Sequence, residues 1–227
     1  MPRNGPIRDQ RRRELIRATI AVIARRGYSG TTVARVAAKA RVSVGLMNFH
    51  FSSKDHLFRE TFNYLSEEYD QTWQRNLDAA RQDPMARLKI MIESYFDPRI
   101  FTREKLAVWF TFWSDAELRD RYRAAATRLE HRYLDALEKE IDRLAKRHGT
   151  QRQPKAIVAG LSAMVDGYWL QALLEPRRFE RALAVAACQD FLEMRLRPSP
   201  FAAAPPRRRT GAFWTSPPAL AEQRSRG

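Results

Sequence analysis

The chain has 227 residues, of which 44% are apolar, and its formal net charge is +15 at pH 7. This length allows one large helical domain or two smaller ones, and the apolar share is sufficient for a hydrophobic core. The single cysteine excludes a disulfide framework and argues against a four-ligand zinc site within one chain. We therefore expect neither a metal nor another cofactor.

The positive charge is concentrated at the two ends of the chain. Residues 1–56 hold 12 basic and three acidic side chains, a net charge of +9, and residues 198–227 have a net charge of +4. The 141 residues between them share the remaining +2. A basic terminal region beside a nearly neutral body indicates a polyanionic partner, most commonly nucleic acid. A charge that serves only solubility is the alternative, but it would not need to be concentrated in this way.

The sequence gives little support to a membrane protein or to an enzyme. No apolar stretch follows the basic residues at the N-terminus, and no window of 18 consecutive apolar residues is present. We therefore expect no secretory signal, no membrane span and a cytoplasmic location. The chain has no glycine-rich phosphate loop, no HExxH motif and no Ser/His/Asp constellation, and its four histidines are scattered. These absences argue against an enzyme.

Helix-forming residues dominate the composition, and only nine glycines are present. Apolar side chains recur at helical spacing along most of the chain. Thr31 or Thr32, Ser43 and Thr102 can each cap the start of a helix, and Gly27 can end the first one. We predict nine helices and no strands, with the helices at 8–26, 33–40, 44–49, 53–81, 85–96, 103–113, 116–147, 154–174 and 179–196.

The predicted fold is therefore all-α, with two domains and a tail. Residues 1–56 are expected to form an N-terminal three-helix domain with a helix-turn-helix, because two short helices joined by a tight turn follow a basic helix. Residues 57–197 are expected to form a C-terminal helical domain for ligand binding and dimerisation. Residues 198–227 are rich in Pro, Ala and Arg, and we expect them to be a disordered basic tail.

The run from Gly27 to Leu57 carries a specific pattern. It reads GYSGTTVARVAAKARVSVGLMNFHFSSKDHL, and it strongly resembles the TetR family of bacterial repressors. The resemblance implies a homodimer that binds a double-stranded DNA operator and is released from it by a small ligand. Members of this family commonly have tyrosine at the position of Asn48, so the resemblance does not supply an operator sequence.

The second short helix of the N-terminal domain (residues 1–56, called the head below) would enter the major groove of DNA. Asn48 can read an adenine edge, and Val44 can touch a thymine methyl group. Lys54 and His50 can contact phosphates. The core of the head is expected to contain Val33, Val36, Ala37, Val42 and Leu46. The predicted DNA-binding residues are Thr31, Thr32, Arg41, Ser43, Val44, Gly45, Asn48, Phe49, His50 and Lys54.

Two segments of the C-terminal domain (residues 57–197, called the body below) are unusually aromatic. They are 105–116 and 161–170. Trp109 and Trp113 share one helical face, and Asp166 lies in an otherwise apolar helix. A quaternary ammonium ligand requires this combination, because the rings give cation–π attraction and the carboxylate gives charge. The alternatives are tryptophans that fill the core and an aspartate that pairs with an arginine at a dimer seam. The predicted ligand-binding residues are Tyr95, Trp109, Phe112, Trp113, Asp166, Tyr168 and Trp169.

These two segments, together with the opening Met-Pro-Arg and the basic stretch Arg11-Arg12-Arg13, resemble the BetI type within the TetR family. This resemblance implies a repressor of the genes that convert choline to glycine betaine, with choline as the effector. A regulator of efflux or of another amine's catabolism is the alternative within the class. A nonspecific architectural DNA-binding protein is the alternative outside it.

The last two predicted helices are the expected dimer interface. Two copies of this pair would form a four-helix bundle. Cys188 is expected there as a small buried residue rather than as a redox switch. The apolar residues predicted for these helices are Ile157, Val158, Leu161, Met164, Val165, Leu183, Val185, Ala186, Phe191 and Leu192.

Overall fold

A computed structural model describes residues 5–79, 83–147 and 153–197 of the chain. Within these ranges the chain forms nine α helices and no strand, which confirms the predicted all-α architecture. The predicted tail at 198–227 lies outside the described residues. The helices are α1 (Gly5–Arg26), α2 (Val33–Ala40), α3 (Val44–His50), α4 (Lys54–Asp78), α5 (Pro84–Tyr95), α6 (Arg103–Ser114), α7 (Ala116–Arg147), α8 (Pro154–Leu174) and α9 (Arg181–Leu196).

Local capping residues define the helix ends in the head, as the sequence predicts. The Thr32 hydroxyl accepts a hydrogen bond from the backbone N–H of Arg35 at 3.2 Å, and the Ser43 hydroxyl accepts one from that of Leu46 at 3.2 Å. Gly27 follows α1 with a φ of +66°, a conformation that glycine adopts without strain. Because these caps pair backbone groups that a helix end leaves unsatisfied, α2 and α3 begin where their sequence signals lie.

The core of the helix-turn-helix is small. Val36 and Ala37 of α2 are buried as predicted, and Met47 of α3 is fully buried. Leu46, which the sequence analysis placed in this core, is only half-buried. In the seven-residue helix α3, Met47 rather than its neighbour Leu46 faces the core. Arg41 makes the turn between the two helices, with a left-handed φ of 57°.

Helices α1 and α4 connect the helix-turn-helix with the remaining helices. Helix α4 begins directly after the helix-turn-helix and continues into the body, where α1 also packs against α6. Helix α8 packs against α6, α7 and α9 and buries Ile157, Leu161 and Val165. By length and composition α8 would also pass as a membrane span, a test that core helices of soluble proteins pass too. Cys188 of α9 is fully buried, and burial raises the pKa of its thiol to about 11.

Candidate DNA-binding surface and aromatic cavity

Helix α3 presents an exposed face that contains most of the predicted recognition residues. Val44 is 44% exposed and Phe49 is 68% exposed, which are large fractions for apolar side chains. Asn48 is exposed beside Phe49. Apolar side chains next to an amide match the methyl groups and hydrogen-bonding atoms that base edges offer in the major groove. The other exposed predicted residues are Thr32 at the start of α2, Arg41 in the turn, and Ser43 and Gly45 at the start of α3.

Two residues predicted to face DNA are instead turned into the protein. Thr31 is fully buried, and its hydroxyl donates a hydrogen bond to the carbonyl of Gly27 at 2.7 Å. His50 is 8% exposed, because it lies three residues after the buried Met47 and shares its helix face. Burial and the nearby positive charge of Arg8 lower the pKa of His50. The predicted outward position of His50 is therefore wrong, and the cap of α2 is Thr32 rather than Thr31.

The side chain of Lys54 contacts Tyr28, which lies just after the end of α1. Its ammonium donates a hydrogen bond to the backbone carbonyl of Tyr28 at 3.1 Å. It also lies 4.2 Å from the centroid of the Tyr28 ring, which is a cation–π distance. The described contacts of Lys54 therefore join the start of α4 to the end of α1, and its phosphate contact stays a prediction.

Arg8 borders the exposed face of α3, although it was not predicted to bind DNA. Its guanidinium carbon lies 5.6 Å from the centroid of the exposed Phe49 ring. Because this distance is within the range of a cation–π contact, the first turns of α1 and the end of α3 form one continuous surface. The charge bias of residues 1–56 was the signal that could have indicated such a position.

The body contains a small aromatic cavity of about 110 Å³ among α4, α5, α6, α7 and α8. Trp113 is the centre of a stack, with its ring centroid 6.3 Å from that of Trp169 and 6.0 Å from that of Trp109. The Trp113 and Trp169 planes differ by only 19°. Of the seven predicted ligand-binding residues, the five that line this cavity are Tyr95, Trp109, Trp113, Asp166 and Trp169.

Two predicted ligand-binding residues do not line the cavity. Phe112 is 3% exposed and packs in the core, with its ring 5.0 Å from that of Phe62. Tyr168 packs 6.4 Å from Phe96. Each is the immediate neighbour of a cavity tryptophan, and the turn of about 100° per residue carries its side chain away from the wall.

Several lining residues were not predicted, and most of them belong to α4 and α7. On α4 they follow a spacing of four and three residues, which places them on one helix face. That periodicity was visible in the sequence, but it is equally typical of ordinary core packing. The unpredicted lining residues are Phe62, Ser66 and Tyr69 of α4, Tyr133 and Leu134 of α7, and Ser162 and Val165 of α8.

Hydrogen bonds hold the aromatic walls in place. The indole N–H of Trp169 donates to the backbone carbonyl of Tyr95 at 3.2 Å, and the Tyr133 hydroxyl donates to that of Met91 at 2.8 Å. Burial among these aromatic rings raises the pKa of the Tyr69 hydroxyl. Asp166 is the only charged side chain among the described lining residues, and it is exposed at the edge of the cavity.

A chain of contacts connects the cavity wall with the first turn of α4. The Phe62 ring stacks on Tyr122, with centroids 5.8 Å apart and planes 18° apart. The Tyr122 hydroxyl donates to the Asp55 carboxylate at 3.0 Å, and Arg121 pairs with the same carboxylate at 2.6 Å. The hydrogen bond from Arg121 lowers the pKa of Asp55, so this carboxylate stays charged at neutral pH. Asp55 follows Lys54, and the cavity is therefore linked physically to the head.

The fold and the two sites define a helix-turn-helix protein whose helical body contains an aromatic cavity with a carboxylate at its edge. Residues 15–61 match the family model for bacterial regulatory proteins of the tetR family, and residues 84–197 match that for the C-terminal part of BetI-type transcriptional repressors. The chain belongs to the TetR family and has a C-terminal domain of BetI type. It is a DNA-binding transcriptional repressor and not an enzyme.

Individual relatives agree with this assignment. The HTH-type transcriptional regulator BetI of Paraburkholderia xenovorans (strain LB400) is 30% identical over 198 residues, which are 86% of this chain and 97% of the relative. A proposed transcriptional regulator from Pseudomonas aeruginosa PAO1 has a TM-score of 0.70 at 28% identity, over 82% of this chain and 90% of that chain. A proposed regulator from Saccharomonospora viridis, solved in complex with choline, has a TM-score of 0.68 at 22% identity, over 82% of this chain and 96% of that chain.

Proposed function

We propose that a small organic cation, with choline as the first candidate, lowers the affinity of this repressor for its operator. The genes under its control are then those for glycine betaine synthesis. The observation that supports the proposal is that Trp109, Trp113, Trp169 and the carboxylate of Asp166 line one cavity. Stacked aromatic rings attract a desolvated cation, and the carboxylate supplies the opposite charge. The choline complex of the Saccharomonospora viridis protein favours the same ligand.

The size of the cavity favours a small ligand over a large one. Its volume is about 110 Å³, whereas sites for drug-sized molecules occupy roughly 300–1,000 Å³. A regulator of drug efflux would need the larger space, so this alternative is less well supported. A repressor that responds to another small amine remains the alternative, since the same rings and carboxylate would attract any such cation.

We also propose a homodimer formed through α8 and α9, in the cytoplasm. Several apolar residues expected at the interface, including Ile157, Leu161 and Leu192, are buried inside the protomer and do not face a partner. The large apolar side chains that remain exposed on these helices are Leu170, Leu174, Leu183 and Met194, with exposed fractions of 41% to 69%. Apolar patches of this kind mark protein interfaces. Sedimentation of the purified protein at micromolar concentration should give twice the chain mass, and a monomer would overturn the assignment.

The ligand would act by shifting a population of conformers. A ligand changes operator affinity only through its different affinities for the DNA-binding form and the released form. Helix α4 connects the cavity with the DNA-binding surface. Phe62 of this helix lines the cavity, and Asp55 lies in its first turn, next to the helix-turn-helix. Movement of α4 would change the spacing of the two heads of a dimer, which must match successive major grooves about 34–36 Å apart.

The contact between Tyr122 and Asp55 provides a test of this coupling. Replacement of Tyr122 with phenylalanine removes the hydrogen bond to Asp55 and keeps the ring that stacks on Phe62. We expect choline affinity without DNA and operator affinity without choline to stay within about twofold. The ratio of operator Kd values with and without saturating choline should fall about fivefold, since one hydrogen bond contributes about 1 kcal/mol.

The matched control is Tyr64→Phe, because Tyr64 lies on α4 but belongs neither to the cavity lining nor to the contact between Tyr122 and Asp55. An unchanged ratio in the Tyr122 variant would exclude this contact from the coupling route.

The function itself is tested by fluorescence anisotropy of the full-length protein with its own upstream DNA, titrated with choline, betaine aldehyde and glycine betaine. We expect tight binding to this DNA and release by choline. Equal binding to random DNA across a salt series would indicate a nonspecific architectural protein instead. Specific binding without release by any of the three compounds would leave the repressor assignment intact and remove the choline assignment.

A further inference from the structure

Among the described residues, the hydroxyls of two serines in the cavity wall have no hydrogen-bond partner. The Oγ atoms of Ser66 on α4 and Ser162 on α8 are both buried and unpaired, and the Ser66 residue is only 6% exposed. Both residues line the aromatic cavity. Buried polar groups in folded proteins are almost always paired, because an unpaired group has lost its hydrogen bonds to water. These two hydroxyls therefore require an explanation.

Other serine and threonine hydroxyls in the helices form a local hydrogen bond that Ser66 lacks. Thr61 and Thr72, which are also on α4, donate to the backbone carbonyls four residues before them, at 2.8 and 2.7 Å. Ser94 and Thr111 on other helices make the same bond, at 2.8 and 2.7 Å. This local bond is the ordinary way for a serine or threonine within a helix to satisfy its hydroxyl. Ser66 does not form it, although it lies between Thr61 and Thr72 on the same helix.

We propose that Ser66 and Ser162 form a polar subsite that binds a neutral oxygen atom of the effector. The proposal rests on the proposed function, which places a cation among the tryptophans and Asp166. A serine hydroxyl both donates and accepts, so a ligand hydroxyl can pair with it in either direction. The effector is then an ammonium ion that also carries a hydroxyl or carbonyl oxygen.

The charge of the cavity argues against a carboxylate at this second end of the ligand. Asp166 is negative, and none of the described lining residues carries a positive charge that could pair with a ligand carboxylate. A buried carboxylate without such a partner is strongly unfavourable. Ser66 and Ser162 would thus determine specificity, since they distinguish an amino alcohol from an alkylammonium ion and from a zwitterion of similar size.

Calorimetric titration of the full-length protein with choline and with propyltrimethylammonium tests this subsite without any mutation. The second cation has nearly the same shape, with a methyl group in place of the hydroxyl. We expect choline to bind about tenfold more tightly, because the alkyl analogue leaves the serine hydroxyls unpaired. The Ser66→Ala and Ser162→Ala variants should each reduce this difference, whereas Ser114→Ala, at the exposed end of α6, should retain it.

Each outcome addresses a different statement. Equal affinity of the wild-type protein for the two cations would overturn the serine subsite while the cation assignment stands. Binding of neither cation would overturn the cation assignment and the subsite together. A difference that persists in both serine variants, with thermal melting like that of the wild type, would place the hydroxyl contact elsewhere and also overturn the proposal.

Discussion

Replacement of Trp113 with alanine should weaken choline binding by about 30-fold and leave operator affinity unchanged. Trp113 stacks between Trp109 and Trp169 in the cavity wall, so its loss removes one cation–π face and disorders the stack. A desolvated cation–π contact contributes about 2 kcal/mol, which corresponds to this factor. Because Trp113 is 38% exposed and lies far from α3 in sequence, we expect the head to fold and bind DNA normally.

The measurement is a choline titration, first of the free protein and then of its complex with labelled operator DNA. A matched pair of conservative variants, Trp113→Phe and Trp73→Phe, serves as control, because Trp73 is buried nearby but does not line the cavity. Only the Trp113 variant should lose affinity. Wild-type choline affinity in Trp113→Ala would show that choline binds at some other place.

Replacement of Asn48 with alanine should reduce operator affinity by about 10- to 100-fold and leave affinity for random DNA nearly unchanged. Asn48 is exposed on α3 beside Phe49, where an amide can form two hydrogen bonds with an adenine edge. A good base contact of this kind contributes about 1–3 kcal/mol of discrimination. Nonspecific affinity depends on phosphate contacts, and an uncharged side chain does not alter these.

Fluorescence anisotropy with operator DNA and with random DNA, at several salt concentrations, measures the specific and the nonspecific affinity separately. Asn63→Ala, on α4 and away from the recognition helix, is the matched control and should bind both DNAs like the wild type. If Asn48→Ala loses affinity for both DNAs alike, Asn48 does not read a base, and the recognition surface must be reassigned.

The helices were predictable because each end depends on a few local residues. Thr32, Ser43 and Thr102 cap helices in the structure as their sequence positions indicate. The orientation of a short helix was less predictable. In α3 the choice between Leu46 and Met47 for the core, and therefore the direction of His50, depends on how the helix packs against its neighbours. Seven residues do not contain enough periodicity to determine that rotation.

The cavity was predictable where its residues are chemically unusual. The tryptophans of α6 and the aspartate of α8 stand out from the surrounding sequence, and they do line one cavity. Phe62, Tyr69 and Tyr133 have the spacing of ordinary core residues, so only the packing of α4 against α5 and α7 identifies them as lining residues. The unpaired state of Ser66 has no sequence signal, because hydrogen-bond satisfaction depends on the folded environment.

The small volume of the cavity also limits how strongly any occupant can drive the protein from one form to the other. The best small ligands gain at most about 1.5 kcal/mol per non-hydrogen atom, so a molecule of roughly seven such atoms gains no more than about 10 kcal/mol in total. Complete conversion between two forms requires about 5.5 kcal/mol of that to be specific to one form. More than half of the largest possible binding free energy must therefore be specific to one form. Substitutions far from both sites that change the energy difference between the two forms would then change the ligand concentration needed for release from the operator.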